Sequence, residues 1–197
     1  MNTNIFPTDE ILQRKQKEQL LNQKGFALWL TGLSGAGKTT IAIALEKELY
    51  KNGFLTQILD GDNLRAGINN NLGFSESDRH ENIRRVAEIT KLFVETGVIT
   101  ICCFISPTEE IRNIARNIIG EKDFVEIFVN TSLEVCEERD VKGLYKKARA
   151  GQIKDFTGIH SLYEIPKNPT IEIKTDVDSV EEIVSKIVNS ILHRIKC

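Results

Sequence analysis

The 197-residue chain has the length of one globular domain with one core, so a second catalytic domain is excluded. Its 26 Lys and Arg residues against 28 Asp and Glu residues give a net charge of -2, which argues against nucleic-acid or anionic-membrane partners. No apolar stretch approaches the ~18 residues of a membrane span, and the amino-terminus lacks the apolar region of a secretion signal. Any site for an anion must therefore be local.

Two features bear on location and domain boundaries. The cysteines form no C-x-x-C pair and predict free thiols in a reducing compartment, so a cytoplasmic location is expected; they are Cys102, Cys103, Cys136 and Cys197. Residues 1–24 carry only scattered apolar positions and predict a helical arm that leans on another surface, with another subunit as one candidate. The domain is predicted over residues 25–197.

From Phe26 onward, apolar patterns typical of strands and helices alternate. The predicted strands are residues 26–30, 55–59, 98–105, 124–129 and 171–173. Predicted helices run from Thr40 to Gly53, from Ser75 or Ser77 to Gly97, from Pro107 to Gly120, from Thr131-Ser132 onward and from Ser179 onward. This alternation predicts a three-layer α/β fold with a parallel sheet between helices. Residues 140–169, rich in Lys, Arg and Gly, predict a mobile basic lid.

The turn between the first strand and the first helix of the domain matches G-x-x-x-x-G-K-[ST]. Such a P-loop directs backbone N–H groups and a helix amino-terminus at phosphates, and its lysine adds a point charge. Its threonine hydroxyl is placed for Mg²⁺. The predicted ATP-binding residues here are Gly32, Leu33, Ser34, Gly35, Ala36, Gly37, Lys38, Thr39 and Thr40.

The class of P-loop protein follows from what surrounds the motif. A GTPase needs Asn-Lys-x-Asp after a late strand, but the fourth strand runs into Asn130-Thr131-Ser132-Leu133. A motor or transport ATPase normally has a larger chain. A small kinase, with an acceptor site opposite the P-loop and a basic lid over both, explains more of the sequence. The fold class is then the P-loop NTPase type.

Several segments between about Gln23 and Thr175 carry a more specific resemblance. They are Trp29-Leu30-Thr31-Gly32, Asp60-Gly61-Asp62-Asn63-Leu64-Arg65, Asn71-Leu72-Gly73-Phe74-Ser75, Phe104-Ile105-Ser106-Pro107, the run from Arg139 to Gly151, and Phe156-Thr157-Gly158-Ile159. In these segments the chain resembles the adenylylsulfate kinase (APS kinase) family. Ala36 and Thr39 stand where that family usually has Ser, and Thr39 keeps the hydroxyl. The resemblance implies transfer of the γ-phosphate of MgATP to the 3'-hydroxyl of adenosine 5'-phosphosulfate, giving 3'-phosphoadenosine 5'-phosphosulfate and ADP.

The resemblance also implies roles for individual residues. A carboxylate accepts the proton of the poorly nucleophilic 3'-hydroxyl; Asp62 is the candidate, with Asp60 acting through the Mg²⁺ shell beside Thr39, although the two roles could be exchanged. Lys38 and Ser106 complete the catalytic set. Ser106 is open to three interpretations: a phosphate carrier, an acceptor-site residue or a helix cap. The predicted acceptor-binding residues are Asp62, Asn63, Arg65, Phe74, Arg79, Asn82, Ile105, Ser106, Lys142, Leu144 and Phe156.

The remaining expectations concern ATP, assembly and alternatives. Arg149 is predicted to bind the nucleotide, and the ATP adenine is predicted near Thr175 to Asp178. The family suggests a homodimer. Two alternative functions stay open from the residues alone: a P-loop kinase for another small molecule, and a nucleotide-binding module without catalysis.

Overall fold

A computed structural model of the chain describes Asn4, Phe6, Thr8 and residues 10–196. Cys197 and part of the predicted arm lie outside these residues. The helices are α1 Arg14–Leu21, α2 Lys38–Lys51, α3 Gly61–Ala66, α4 Glu76–Glu95, α5 Glu109–Ile119, α6 Leu133–Arg139, α7 Leu144–Arg149 and α8 Val180–Ile195. The strands are β1 Phe26–Thr31, β2 Thr56–Asp60, β3 Ile99–Cys103, β4 Phe124–Val129 and β5 Ile171–Ile173.

The strands form a five-stranded parallel sheet in the order β2-β3-β1-β4-β5. One apolar cluster joins the sheet to α2 and α8, and a second joins its other face to α4 and α5. The predicted three-layer α/β fold is confirmed. Because every residue of β1, β3 and β4 is buried, these strands are mostly apolar on both faces rather than alternating, and Glu126 in β4 is their one charged residue. Within the described part of the chain, no helix combines the length and apolarity of a bilayer-crossing segment.

Three local features differ from the predicted elements or add to them. Helix α5 begins at Glu109 rather than at Pro107, because the Thr108 hydroxyl accepts the N–H of Ile111 and caps the helix. The polar turn after β2 is a short helix, α3, capped by the Asp60 side chain. The basic lid is not irregular throughout, since α7 buries Tyr145 and Ala148 on one face.

Helix α1 packs on its own chain, at the amino-terminal edge of the sheet. The Arg14 guanidinium donates to the Gly25 carbonyl at 2.6 Å and to the Asp123 carboxylate at 2.9 Å. After the helix, the Gln23 side-chain amide donates to the carbonyls of Leu55 and Gly97, which precede β2 and β3. The described part of the arm thus ties together the loops beneath β1, β2 and β3.

Candidate active site

The P-loop between β1 and α2 has the backbone shape of an anion cradle. Gly35 and Gly37 have φ values of 75° and 95°, in the left-handed region that favours glycine. A side chain on Gly35 would lie 3.0 Å from the carbonyl oxygen of Cys136, so the loop and α6 are in close approach. Gly37 is the N-cap of α2 and offers no side-chain acceptor. The first N–H groups of α2 therefore point to where phosphates would lie.

The Lys38 ammonium is held inside this cradle. It donates to the carbonyl oxygens of Gly32 at 2.9 Å and of Leu33 at 2.7 Å. Burial lowers the pKa of Lys38 to about 8, because desolvation disfavours the charged form. Phosphate oxygens would give Lys38 negatively charged partners in place of these neutral carbonyls. A bound nucleotide would therefore stabilise the charged form of the lysine.

This lowered pKa predicts a proton linkage. In the free protein Lys38 loses its proton near pH 8, whereas bound phosphates raise its pKa, so MgATP binding should take up a proton at about pH 8.5. Affinity for MgATP should correspondingly decrease as the pH increases through 8. Calorimetric titration in two buffers with different ionisation enthalpies measures the uptake. Near pH 7 the uptake should largely vanish, since Lys38 is already protonated; equal uptake at both pH values would contradict the linkage.

The predicted metal residues are in contact with each other. The Thr39 hydroxyl donates to one Asp60 carboxylate oxygen at 2.9 Å, and the other oxygen accepts the backbone N–H of Asp62 at 3.0 Å. A hydroxyl and a carboxylate form the oxygen donor set that Mg²⁺ prefers, and Mg²⁺ commonly takes few protein ligands beside substrate phosphates. Thr39 and Asp60 therefore fit a magnesium ion bound together with a nucleotide.

Asp62 lies in the first turn of α3, where the lid reaches it. Its carboxylate forms an ion pair with the ammonium of Lys142, and the side chains are 69% and 61% exposed, respectively. Beneath it, Gly61 packs close to the Phe104 ring and the Cys103 carbonyl, at the carboxyl edge of β3. The structure thus brings Asp60, Asp62 and Lys142 to one edge of the sheet, with Asp62 accessible from solvent.

The predicted acceptor residues Arg65, Phe74 and Arg79 form a second group. Phe74 is 65% exposed, and the Arg65 guanidinium lies 4.4 Å from the centre of its ring. Arg79 donates to the Phe74 carbonyl at 2.9 Å and, across the site, to the Thr157 hydroxyl at 2.9 Å. Desolvation lowers the pKa of both arginines. An exposed aromatic face and two partly desolvated guanidinium groups suit an aromatic anion.

The other predicted acceptor residues differ in exposure. Asn82 is buried one turn below Arg79 and accepts a hydrogen bond from Asn69 at 3.1 Å. Phe156 packs edge-on against Tyr145 with ring centres 5.0 Å apart. Asn63 is exposed on α3, whereas Ile105 and Leu144 are half-buried. Because Arg79 also donates to the Asp155 carbonyl, the segments carrying Phe74 and Phe156 are joined.

Ser106 is buried, with 3% of its surface exposed. Its hydroxyl accepts the Trp29 indole N–H at 3.1 Å and donates to the Thr31 hydroxyl at 3.0 Å. It does not cap α5, since Thr108 does. The Ser106 hydroxyl is thus engaged on both sides by protein groups, which favours a role in shaping the site.

Helix α6 and the lid also contact the P-loop side of the site, through Arg139 and Tyr145, for which the sequence interpretation predicted no such contact. Arg139 donates to the Thr175 hydroxyl at 2.9 Å, and the same hydroxyl donates to the Ala36 carbonyl at 2.8 Å. The Tyr145 hydroxyl donates to the Ser34 carbonyl at 2.9 Å. By contrast, the predicted ATP residue Arg149 is paired with Glu137 at 2.8 Å. Arg139, at the end of α6 just before the lid, is therefore the arginine that contacts the P-loop, at the Gly35 carbonyl.

Comparisons with known proteins bear on this site. The family model for adenylylsulphate kinase matches residues 24–174. An adenylyl-sulfate kinase of Bacteroides fragilis is 58% identical over 195 residues, covering 98% of this chain and 96% of its own. The APS kinase of Mycobacterium tuberculosis, solved in complex with AMPPNP and APS, has a TM-score of 0.83 and 43% identity, covering 86% of this chain and 98% of its own. A hexameric APS kinase from Thiobacillus denitrificans has a TM-score of 0.66 and 30% identity over 87% of this chain and 29% of its own.

Proposed function

The chain belongs to the adenylylsulphate kinase family, and we propose that its P-loop, Asp60 and Asp62 transfer the γ-phosphate of MgATP to the 3'-hydroxyl of adenosine 5'-phosphosulfate. It is an adenylyl-sulfate kinase, an ATP-dependent phosphotransferase. The observation that carries the residue assignment is the Thr39–Asp60 contact, which joins the P-loop to the carboxyl edge of β2 with Asp62 beside it. Donor and acceptor would meet at this edge, as ligands do in open α/β sheets.

Each residue has a distinct role in this mechanism. Lys38 and the N–H groups at the start of α2 would hold the β- and γ-phosphates, while Thr39 and Asp60 would hold Mg²⁺, which would neutralise charge on the phosphates. Asp62 accepts the proton of the acceptor hydroxyl as the oxygen–phosphorus bond forms. The Lys142 ammonium pairs with one oxygen of the Asp62 carboxylate, so the other oxygen can accept that proton, and the anionic phosphosulfate of the acceptor offers Lys142 a second partner. Because the buried Ser106 hydroxyl is hydrogen-bonded to protein groups on both sides, we assign it to shaping the site and propose direct transfer, without a phosphoserine.

The acceptor is recognised by the group around Phe74. Phe74 and Phe156 enclose the acceptor adenine, and Arg65 and Arg79 bind the phosphosulfate, with Asn63, Asn82, Ile105 and Leu144 completing the pocket. The exposure of Phe74 supports this assignment, because a purely structural phenylalanine is normally buried. Arg149 stays a proposed nucleotide residue that would have to leave Glu137, whereas Arg139 and Thr175 are proposed beside the nucleotide as they stand.

Phe74→Ala tests the acceptor pocket. We expect KM for adenylyl sulfate to increase by about tenfold, since stacking on one aromatic face contributes about 1–3 kcal/mol per base, with KM for ATP almost unchanged. Steady-state kinetics with each substrate varied in turn measures both constants. Tyr50→Ala, which removes another exposed aromatic ring at the far end of α2, is the matched control. An unchanged acceptor KM in Phe74→Ala would remove Phe74 from the pocket.

The proposed reaction is tested by turnover of purified protein with MgATP and adenylyl sulfate, with the new phosphate located by NMR. We expect the phosphate on the ribose 3' position. AMP is the comparison acceptor, because it has the adenine and ribose but lacks the sulfate. Equal or faster turnover of AMP would favour a kinase for another small molecule, and ATP binding without transfer would favour a nucleotide-binding module.

Assembly and location are further proposals. We infer self-association, expected as a homodimer from the resemblance, while a hexameric relative shows that assembly varies within the family. Light scattering on the purified chain determines the state. A reducing, cytoplasmic location is supported by the free buried thiols of Cys102, Cys103 and Cys136.

A further inference from the structure

A buried ion pair joins β4 to α5, close to the loop that follows β3. Glu126 belongs to β4 and is 4% exposed, and Arg112 of α5 is 2% exposed. Their charged groups approach to 3.1 Å, and the second carboxylate oxygen of Glu126 lies 2.8 Å from the Arg116 guanidinium. Burying such charges costs free energy that an apolar pair would not, so the arrangement calls for a role beyond stability.

Arg112 connects this ion pair to the acceptor loop, residues 105–107 after β3. Its guanidinium donates to the Ser106 carbonyl at 3.0 Å. Ser106 has a φ of 39°, a left-handed conformation that is uncommon for a residue with a side chain. Such a backbone persists only where its surroundings hold it. Arg112 holds the Ser106 carbonyl, and the Thr31 hydroxyl and the Trp29 indole hold the Ser106 side chain.

The same loop is bonded to the end of the lid. The Tyr163 hydroxyl lies 3.0 Å from the Thr31 hydroxyl, which itself receives the hydrogen bond of Ser106. One residue further, the Glu164 N–H donates to the Pro107 carbonyl at 2.8 Å, and the Glu164 carboxylate accepts the N–H of Glu109 at 2.7 Å. The acceptor loop and the segment that follows Phe156 and Thr157 therefore form one connected unit.

We propose that the Arg112–Glu126 ion pair is the positioning element of the acceptor site. It fixes the Ile105–Ser106 backbone and, through Thr31 and Tyr163, the lid segment that carries Phe156. Arg112 acts through Ser106 and touches neither substrate, so it is a positioning residue. This inference rests on the proposed function, because it concerns where adenylyl sulfate binds.

Arg112 has a matched control one turn along α5. Arg116 is also paired with Glu126, and it packs on the Phe124 ring, but its hydrogen bond goes to Glu126 and not to Ser106. Removing either arginine leaves Glu126 with one partner, so both variants should lose some stability. They differ in whether the Ser106 carbonyl keeps its hydrogen bond from an arginine.

The experiment compares Arg112→Met with Arg116→Met in steady-state kinetics. We expect Arg112→Met to raise KM for adenylyl sulfate by about tenfold or more and to leave KM for ATP within about twofold. Arg116→Met should leave both KM values within about twofold of those of wild type. Like Arg112→Met, it should lower Tm. Arg112→Lys should recover part of the acceptor affinity, and it serves as the test if Arg112→Met does not fold.

The outcomes separate this inference from the proposed function. If wild-type protein does not phosphorylate adenylyl sulfate, the proposed function fails and the inference fails with it. If wild-type turnover is normal but the arginine variants change acceptor KM equally, or Arg112→Met changes ATP KM as much as acceptor KM, only the positioning role is overturned.

Discussion

Replacing Asp62 with Asn is expected to lower kcat by about a hundredfold to ten-thousandfold, the range for loss of a general base. The amide keeps the shape of the side chain but cannot accept the proton of the acceptor hydroxyl. The backbone bond from Asp62 to Asp60 is unaffected, so the Thr39–Asp60 pair and ATP binding should be retained. The exposed ion pair with Lys142 contributes at most about 1 kcal/mol, so Tm should hardly change. Single-turnover kinetics and a nucleotide-binding titration measure the two properties.

Asp60→Asn is the informative comparison for Asp62→Asn. Asp60 contacts the Thr39 hydroxyl, so its loss should weaken Mg²⁺ binding, and higher Mg²⁺ should restore part of the activity. Activity of Asp62→Asn should not respond to Mg²⁺. The opposite pattern, in which Asp62→Asn is the variant that responds, would exchange the two assignments.

Replacing Lys38 with Met is expected to lower kcat by about a hundredfold to a thousandfold, because it removes a preorganised charge from the transferred phosphate. The free energy of unfolding should increase at neutral pH, although activity is lost. The lowered pKa means that the folded state disfavours the charged lysine relative to the unfolded chain. Below about pH 8 this penalty is fully present, and it is relieved as the pH increases toward the ordinary lysine value of 10.5. At neutral pH, Lys38→Met should therefore raise Tm while activity is lost.

Lys51→Met provides the control for Lys38→Met on the same helix. Lys51 lies in the last turn of α2, is 73% exposed and pairs with Glu48. Its replacement should change neither kcat nor the dependence of Tm on pH. Thermal unfolding between about pH 7 and 10 compares the three proteins; a Tm of Lys38→Met below that of wild type at neutral pH would contradict the argument.

The sheet and the P-loop were predictable because their signals are local. The run from Phe26 to Leu30 precedes a glycine-rich turn, and burial on both faces makes the strand apolar throughout. Strand β5 has only three residues but was placed by the alternation of Ile171 and Ile173 around a polar position. The end of α5 at Gly120 and the start of α8 after Ser179 follow from glycine and capping signals.

The less predictable parts depend on contacts between distant segments. Composition alone makes Phe74 a core residue, and its exposure follows from a loop held by Arg65 and Arg79. Helix α7 was missed because basic residues crowd around Tyr145 and Ala148, although their three-residue spacing was the available signal. The choice between Arg139 and Arg149 depends on which faces Thr175 and which faces Glu137, and chain order does not encode that.

The position of β1 in the sheet bears on how the newly made chain folds. Leu28 pairs with Ile101 on one side and with Val125 on the other, so β1 leaves the ribosome well before either of its partner strands. Such long-range parallel pairing slows folding, because the chain must close large loops before the contacts form. Until β4 has been synthesised, the nascent protein exposes an apolar strand with an open edge, and we expect aggregation to be favoured during this interval.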